Sequence, residues 1–303
     1  MTANKIPLTV VGGPTASGKT ELAIRIAEKT GGEIVSADSM QVYKYMDIGS
    51  AKPTPAERAR AKHHLIDIIY PDESFNVVTY TSLANDAIAD IHSRGRLPIL
   101  SGGTGMYINA VINAVGFSES QSDTAMREEL AAIAAKKGNE YLHNMLKTID
   151  PIAAERLHPN DIRRVARAIE IYKTTGITMT QHIENSASDS PYSLTYLAID
   201  HDRQTLYDRI DKRVDMMFSQ GLLDEVKQLL KMGYGSRNLT SMQAIGYKEV
   251  VDYLRGLCSY DDMVDIIKRS SRQYAKRQLT WFRRDKRVRW IAPSEIEKVI
   301  DEF

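Results

Sequence analysis

The sequence predicts an α/β protein, a parallel sheet flanked by helices and interrupted by an all-helical insertion. Three observations predict it. Short apolar, β-branched runs alternate with long helical patterns, which calls for crossover connections and therefore parallel strands. A glycine-rich segment separates the first such run from the first helix. The alternation stops between residues 117 and 191, where only helical periodicity is found.

Residues 7–11 (PLTVV) read as the first strand, and Gly12-Gly13 follow at once. Residues 21–29 carry Leu22, Ala23, Ile26 and Ala27 at helical spacing. Further strands are expected at 33–36, 65–69, 97–101, 194–199 and 288–291, with a helix over 79–94. The insertion reads as helices over 124–137, 140–149, 151–157 and 162–174, and it closes on a polar linker at 185–191. Residues 1–116 and 192–303 are thus expected to form a core domain ending in basic helices, with 117–191 as a helical insertion domain. The last third predicts helices over 203–231, 241–255 and 260–284.

Composition excludes several classes. Of the 303 residues, 43% are hydrophobic and 26% charged, which is globular rather than disordered or repetitive. Forty basic residues against thirty-nine acidic ones give a net charge of +1, so net charge alone marks no nucleic-acid binder. A single cysteine, Cys258, excludes a disulfide framework and a multi-cysteine zinc site, and it fits a reducing cytoplasm. No apolar run approaches the roughly 18 residues needed to span a membrane, and the N-terminal run is too short for a signal-peptide core.

Gly13-Pro14-Thr15-Ala16-Ser17-Gly18-Lys19-Thr20 matches G-x-x-x-x-G-K-[ST], with a strand before it and a helix after it, as the motif requires. The expected core is therefore P-loop NTPase-like. Glycines allow the backbone to turn several N–H groups toward one anion, and the helix N-terminus adds partial positive charge. Lys19 supplies a full charge, and the Thr20 hydroxyl suits a Mg²⁺ ligand. The motif specifies phosphate and leaves open whether ATP is the ligand.

The strand at 97–100 leads into Ser101-Gly102-Gly103-Thr104-Gly105, where an ATPase would place an aspartate. Thr104 therefore stands at the carboxyl end of a parallel strand, where ligands bind, unless the segment is only a tight turn. Asp38, in Ala37-Asp38-Ser39-Met40-Gln41, ends the second strand and suits a general base facing the phosphate loop. A turn-forming aspartate is the plainer alternative. Gln41 offers donor and acceptor to a base edge. His63 and His64 are neighbours on an expected strand and point to opposite faces, which argues against a shared metal ion.

The segment 268–289 holds ten basic residues against Asp285 alone, a local charge of +9. Arg269, Arg272, Lys276, Thr280 and Arg283 recur at helical steps, with Tyr274, Trp281 and Phe282 interleaved. Such a face suits an RNA backbone and unstacked bases, or else is a solvated charged face with its aromatics in the core. The insertion has its own cluster, with Arg156, Arg163, Arg164 and Arg167, and Arg127 on its first helix. A phosphate-closing lid, an RNA contact and plain surface ion pairing all fit these arginines.

Taken in order, GPTASGKT (13–20), ADSMQVYKYMDIGSAKP (37–53), HHLID (63–67), GGTGMY (102–107), RRVARAIEIYKTTG (163–176), SMQAIGYKE (241–249) and RQYAKRQLTWFR (272–283) resemble the tRNA dimethylallyltransferases, also called tRNA isopentenyltransferases. The resemblance runs over essentially the whole chain. It implies transfer of a dimethylallyl group from dimethylallyl diphosphate to N6 of the adenosine just 3′ of the tRNA anticodon, with Mg²⁺ as cofactor. By the same resemblance, Gly13 through Thr20 would hold the diphosphate, and Asp38 would be the base. Asp38, Ser39, Met40 and Gln41 would meet the adenosine. Thr104 and Arg127 would lie near the tRNA and the leaving diphosphate, and the insertion would clamp the anticodon stem-loop together with Arg163, Arg167, Lys276 and Arg283. A bacterial-type, cytoplasmic, monomeric protein is expected, since one cysteine cannot build the zinc finger appended in eukaryotic relatives. An ATP-dependent small-molecule kinase, an adenylate isopentenyltransferase and a non-catalytic RNA-binding module are the alternatives. The first two leave the +9 segment without a task, and the third leaves Lys19, Thr20 and Asp38 without one.

Overall fold

The computed structural model describes residues 5–113, 124–185 and 190–303. The expected insertion boundary at 117 and most of the polar linker lie outside the described residues. The chain divides into two compact units, Met1–Val111 with Pro191–Phe303, and Ile112–Ser190.

The first unit is built on six strands. In chain order its first half runs β1 (Ile6–Gly12), α1 (Lys19–Thr30), β2 (Glu33–Ser36), α2 (Pro55–Arg60), β3 (His63–His64), α3 (Val77–Ser93), β4 (Pro98–Gly102) and α4 (Gly105–Ile112). The second unit then contributes α5 (Thr124–Lys137), α6 (Asn139–Ile149), α7 (Pro151–Arg156), α8 (Ile162–Thr175) and α9 (Met179–Asn185). The chain returns to the first unit with β5 (Tyr192–Ile199), α10 (Arg203–Ser219), α11 (Leu222–Lys231), α12 (Tyr247–Leu254), α13 (Tyr260–Phe282), β6 (Arg289–Ile291) and α14 (Ile296–Asp301).

The strands lie in the order β3-β2-β4-β1-β5-β6, and every pairing is parallel. Parallel strands place all their carboxyl ends on one edge. The loops after β1, β2 and β4 therefore emerge side by side, and these loops carry the phosphate motif, Asp38 and Thr104. Helix α1 buries Leu22, Ala23, Ile24, Ile26 and Ala27 against Val11, Ile34, Ile99 and Leu197 of the sheet. It stops at Gly31, which adopts a left-handed conformation (φ 65°) that disfavours other residues. The second unit has its own core, in which Leu130, Leu142, Leu146, Val165 and Ile169 pack together. Among the described residues no helix is long and apolar enough to cross a membrane.

Three expectations are corrected. Residues 65–69 are not a strand, because Leu65 and Asp67 take positive φ (61° and 59°). The segment pairs with residues 41–44 instead, through Asp67 N–H to the Gln41 carbonyl and Ile68 N–H to the Val42 carbonyl. Buried Lys52 holds it there, donating to Asp67 Oδ1 while Arg58 donates to Oδ2. The edge strand is His63–His64, just upstream. The helix expected over 203–231 breaks at Gly221 (φ 101°), and the one over 241–255 begins as a short turn and restarts after Gly246 (φ 98°).

Candidate active site

The phosphate loop owes its shape to anchored carbonyls. Lys19 Nζ donates to the Pro14 carbonyl at 3.2 Å, Arg209 Nε to the Ala16 carbonyl at 2.7 Å, and His201 Nε2 to the Ser17 carbonyl at 2.8 Å. A peptide's C=O and the next N–H point opposite ways, so tying these carbonyls to the scaffold turns amides toward the open side. Positive φ at Gly13 (140°), Ala16 (62°) and Gly18 (96°) makes the winding possible. The N-terminus of α1 begins at Lys19 and adds its partial positive charge. The Ser17 hydroxyl is buried and, among the described residues, has no partner, so it remains available to a ligand.

Lys19 is held down to about pKa 8, first by burial and then by the Arg213 guanidinium, with Asp38 pulling the other way. Arg213 itself is lowered by burial, and Asp38 again offsets part of that. Lys19, Arg213 and Asp38 therefore share one electrostatic neighbourhood.

Asp38 and Thr104 come together where the ends of β2 and β4 meet. Ala37 N–H donates to the Ser101 carbonyl (2.7 Å), and Thr104 N–H returns to the Ala37 carbonyl (3.1 Å). A Cβ on Gly102 would fall 2.1 Å from that Ala37 oxygen, so only glycine allows the approach. Thr104 Oγ1 accepts from Ser39 N–H (3.0 Å). Asp38 Oδ1 accepts from Met40 N–H (2.9 Å), which is the turn-forming role. That single bond uses one oxygen and leaves the carboxylate, which lines a small cavity with Lys19 and Thr20, with acceptor capacity to spare. Gln41 is more fully spent, since it accepts from Ser36 Oγ (2.9 Å) and donates to the Ala51 carbonyl (3.1 Å).

A cleft of about 1370 Å³ opens beside the phosphate loop. Lys19, Thr20, Arg58 and Arg213 bring charge and a hydroxyl to it, and Ile48 and Met217 give it an apolar wall. Thr20 and Asp38 also line one smaller adjoining cavity.

The basic residues fare unequally. On α13, Lys268 pairs with Asp215 and Arg272 with Asp211, both across to α10, so the expected continuous face is divided. Lys276 and Arg283 are exposed, Arg283 lying 3.8 Å from Asp200 Oδ1. Of the interleaved aromatics, Phe282 is fully buried under β1, Tyr274 turns toward Thr104, and Trp281 stays exposed over Gly105. In the second unit, Arg127 Nε donates to Glu170 Oε2 (2.7 Å) and Arg167 pairs with Glu170 Oε1 (2.9 Å), while Arg163 is exposed. Buried Glu170 thus fixes two of the five arginines singled out there, by ion pairs that a spacing argument does not distinguish from ligand contacts. His63 Nδ1 meets the Ala61 carbonyl and His64 Nε2 meets Glu33, so the two rings have separate partners. His201, Arg209 and Gln278 bond to the phosphate loop from 184, 193 and 263 residues away. Arg213 joins them beside Lys19; no local motif announces His201, Arg209 or Arg213, and Gln278 lies within the 272–283 segment without a role read from it.

Fold and site together define a phosphate-loop α/β protein in which an anion cradle and the Asp38 carboxylate share a small cavity beside a larger cleft. Residues 41–285 match the family model for IPP transferase, and the chain belongs to that family. It is 51% identical over 295 residues to the tRNA dimethylallyltransferase of Acetivibrio thermocellus, spanning 96% of this chain and 94% of that protein. It is 49% identical to the corresponding protein of Lachnoclostridium phytofermentans, over 95% and 92% of the two chains. Among solved structures, a tRNA isopentenylpyrophosphate transferase from Bacillus halodurans is 45% identical, covers 98% of this chain and 95% of its own, and has a TM-score of 0.73. A eukaryotic dimethylallyltransferase acting on tRNA is 31% identical over 95% of this chain and 74% of its own, with a TM-score of 0.78.

Proposed function

We propose that this protein transfers a dimethylallyl group from dimethylallyl diphosphate to N6 of the adenosine 3′-adjacent to the anticodon in tRNA, releasing diphosphate. The observation that carries this reading is the pairing of a cationic cradle with the half-used Asp38 carboxylate in one neighbourhood. Lys19 and Arg213 stand with the phosphate loop, and Asp38 stands with them.

The allylic C1–O bond breaks and its electrons leave with the diphosphate, so charge grows on the departing oxygens. Lys19, the loop amides and the N-terminus of α1 are already in place to stabilise that charge. The N6–C1 bond forms as the adenine amine attacks, and its proton passes to the Asp38 carboxylate. The adenine amine is a weak nucleophile, so orientation contributes much of the rate. The base has to leave its stack to reach the cleft. A Mg²⁺ ion fits the donor set, since the Thr20 hydroxyl is a hard oxygen ligand lining the same cavity as Lys19, and Mg²⁺ needs few protein ligands beside substrate phosphates. Bound there, Mg²⁺ would neutralise diphosphate charge. Exposed Lys276, Arg283 and Arg163 supply cations for the tRNA backbone, and the protein acts as a cytoplasmic monomer.

The test is mass analysis of an anticodon stem-loop after incubation with the protein, Mg²⁺ and dimethylallyl diphosphate. The expected result is a gain of one C5H8 unit on the adenosine 3′ of the anticodon. Phosphoryl transfer from ATP with an unmodified stem-loop would overturn the reading in favour of a kinase.

A further inference from the structure

Helix α13 turns two polar side chains inward, Tyr274 and Gln278, one helical turn apart. Gln278 is 6% exposed, and its amide is spread across two loops. Its Oε1 accepts from Thr15 N–H in the phosphate loop at 3.0 Å, and its Nε2 donates to the Gly103 carbonyl at 2.8 Å. The assignment of O and N is fixed by chemistry, because an N–H needs an acceptor and a carbonyl needs a donor. The Tyr274 hydroxyl faces the side chains of Thr104 and Gln278. Thr104 in turn accepts from Ser39 N–H, next to Asp38.

We propose that Gln278 is a positioning residue, whose amide sets the spacing between the phosphate loop and the loop that carries Thr104, and through Thr104 seats Asp38. The inference rests on the proposed function, in which the 13–20 loop holds the prenyl diphosphate. Only a side chain that both donates and accepts at this length can bridge an N–H and a C=O. Glutamate keeps the acceptor but sets a second oxygen against the Gly103 carbonyl. Asparagine is one methylene short. Gly103 belongs to the same device. Its φ is not positive, so alanine is allowed by its backbone, yet a Cβ there would lie 2.4 Å from Gln278 Nε2. The next neighbour, the Gly13 carbonyl oxygen at 3.5 Å, is at an ordinary distance. Gln278 alone excludes a side chain at 103.

The test uses the full chain with tRNA and dimethylallyl diphosphate, and the variants Q278M, Q278E, Q278A, G103A and G103A/Q278A. Because Q278M leaves the Thr15 N–H and the Gly103 C=O unpaired and Q278E sets an oxygen against that C=O, both are expected to lower kcat/KM for the diphosphate by about 10- to 100-fold. Affinity for tRNA should stay within about 2-fold, because Gln278 touches only loops of the site and none of the exposed cations. Q278E preserves shape and one of the two bonds. Its loss of rate at an unchanged thermal midpoint separates positioning from a folding defect. G103A should lose activity like Q278M, and G103A added to Q278A should cost little more, since both disrupt the same bridge. Losses that multiply in the double variant, or full kcat/KM in Q278M, would overturn the proposal. K19A is measured in parallel. If it leaves affinity for the diphosphate untouched, the donor reading and this inference both fall. If it abolishes that affinity while Q278M behaves as wild type, only the inference falls.

Discussion

Two carboxylates sit at opposite ends of β2, and they have opposite fates. Glu33 begins the strand, is 1% exposed, and is enclosed by cations. Arg94 binds it through both Nη atoms (2.5 and 2.8 Å), Arg96 Nη1 reaches it at 2.8 Å, His64 Nε2 at 2.7 Å and Lys62 Nζ at 3.4 Å. Chiefly through Arg94, these hold its carboxyl far below the ordinary range in spite of burial. Asp38 follows the strand's other end and accepts one bond, from Met40 N–H. Its cations, Lys19 and Arg213, act on it through space, without a hydrogen bond among the described residues. A carboxylate whose acceptor sites are filled by its own protein holds a fold together. One left half-used beside a cleft has capacity for a substrate proton.

The sharpest way to break this contrast is to delete each carboxylate in turn. Asp38→Ala should lower turnover by about 10²- to 10⁴-fold, the usual worth of a general base, with little change in thermal midpoint or tRNA affinity. Turnover near wild type would remove Asp38 from the chemistry. Glu33→Gln should do the reverse. It should cost about 3 kcal/mol of stability in denaturant unfolding, the low end for a broken buried pair, because the arginines left behind reach water. The folded enzyme should keep its rate. The sign with pH follows from the depressed folded-state value. The stabilisation from Glu33 is fully present above the unfolded carboxyl range, near pH 4.5, and is lost as pH falls below it. Glu33→Gln should flatten acid denaturation there, and an unchanged acid limb would return the cluster to a surface ion pair.

Lys19 sharpens the Asp38 side of the comparison. With its pKa near 8, the free protein loses this positive charge as pH rises through that value. Affinity for inorganic diphosphate should therefore fall roughly tenfold between about pH 7 and pH 9, measured by calorimetry, whereas K19R should hold its affinity. A flat wild-type profile would show that Lys19 is not the cation the diphosphate meets. The smallest effect is expected on the outer surface. Charge reversal of Lys276 and Arg283 should weaken tRNA binding at all sequences and reduce the salt slope by roughly one for each phosphate-binding cation removed. An unchanged slope would make these residues solvated surface.

Much of the site was legible because its chemistry is local. The motif at 13–20 contains the glycines that wind the loop, the lysine and the threonine, all within one strand–loop–helix. Asp38 and Thr104 were legible as residues at strand carboxyl ends, because parallel strands bring those ends together. Partner choice was not legible. The spacing on α13 treats Arg272 and Lys276 alike, yet Asp211 takes the first and leaves the second exposed. Trp281 and Phe282 are neighbours in sequence, and the 100° helical step sends one to solvent and the other under Gly12. The apolar run at 65–69 reads as a strand, but buried Lys52 gathers Asp67 into a turn that no pattern of hydrophobicity encodes.

The sequence by itself determined the parallel α/β class, the phosphate-loop motif and the carboxylate that follows β2, because each depends on residues close together in the chain or on a strand–helix rhythm. Only the tertiary structure decided which charges are spent inside the protein and which face a ligand. The physical reason is that hydrogen bonds and ion pairs act over about 3 Å of space. Gln278 and Thr15 are 263 residues apart along the chain, and only folding brings them within that distance.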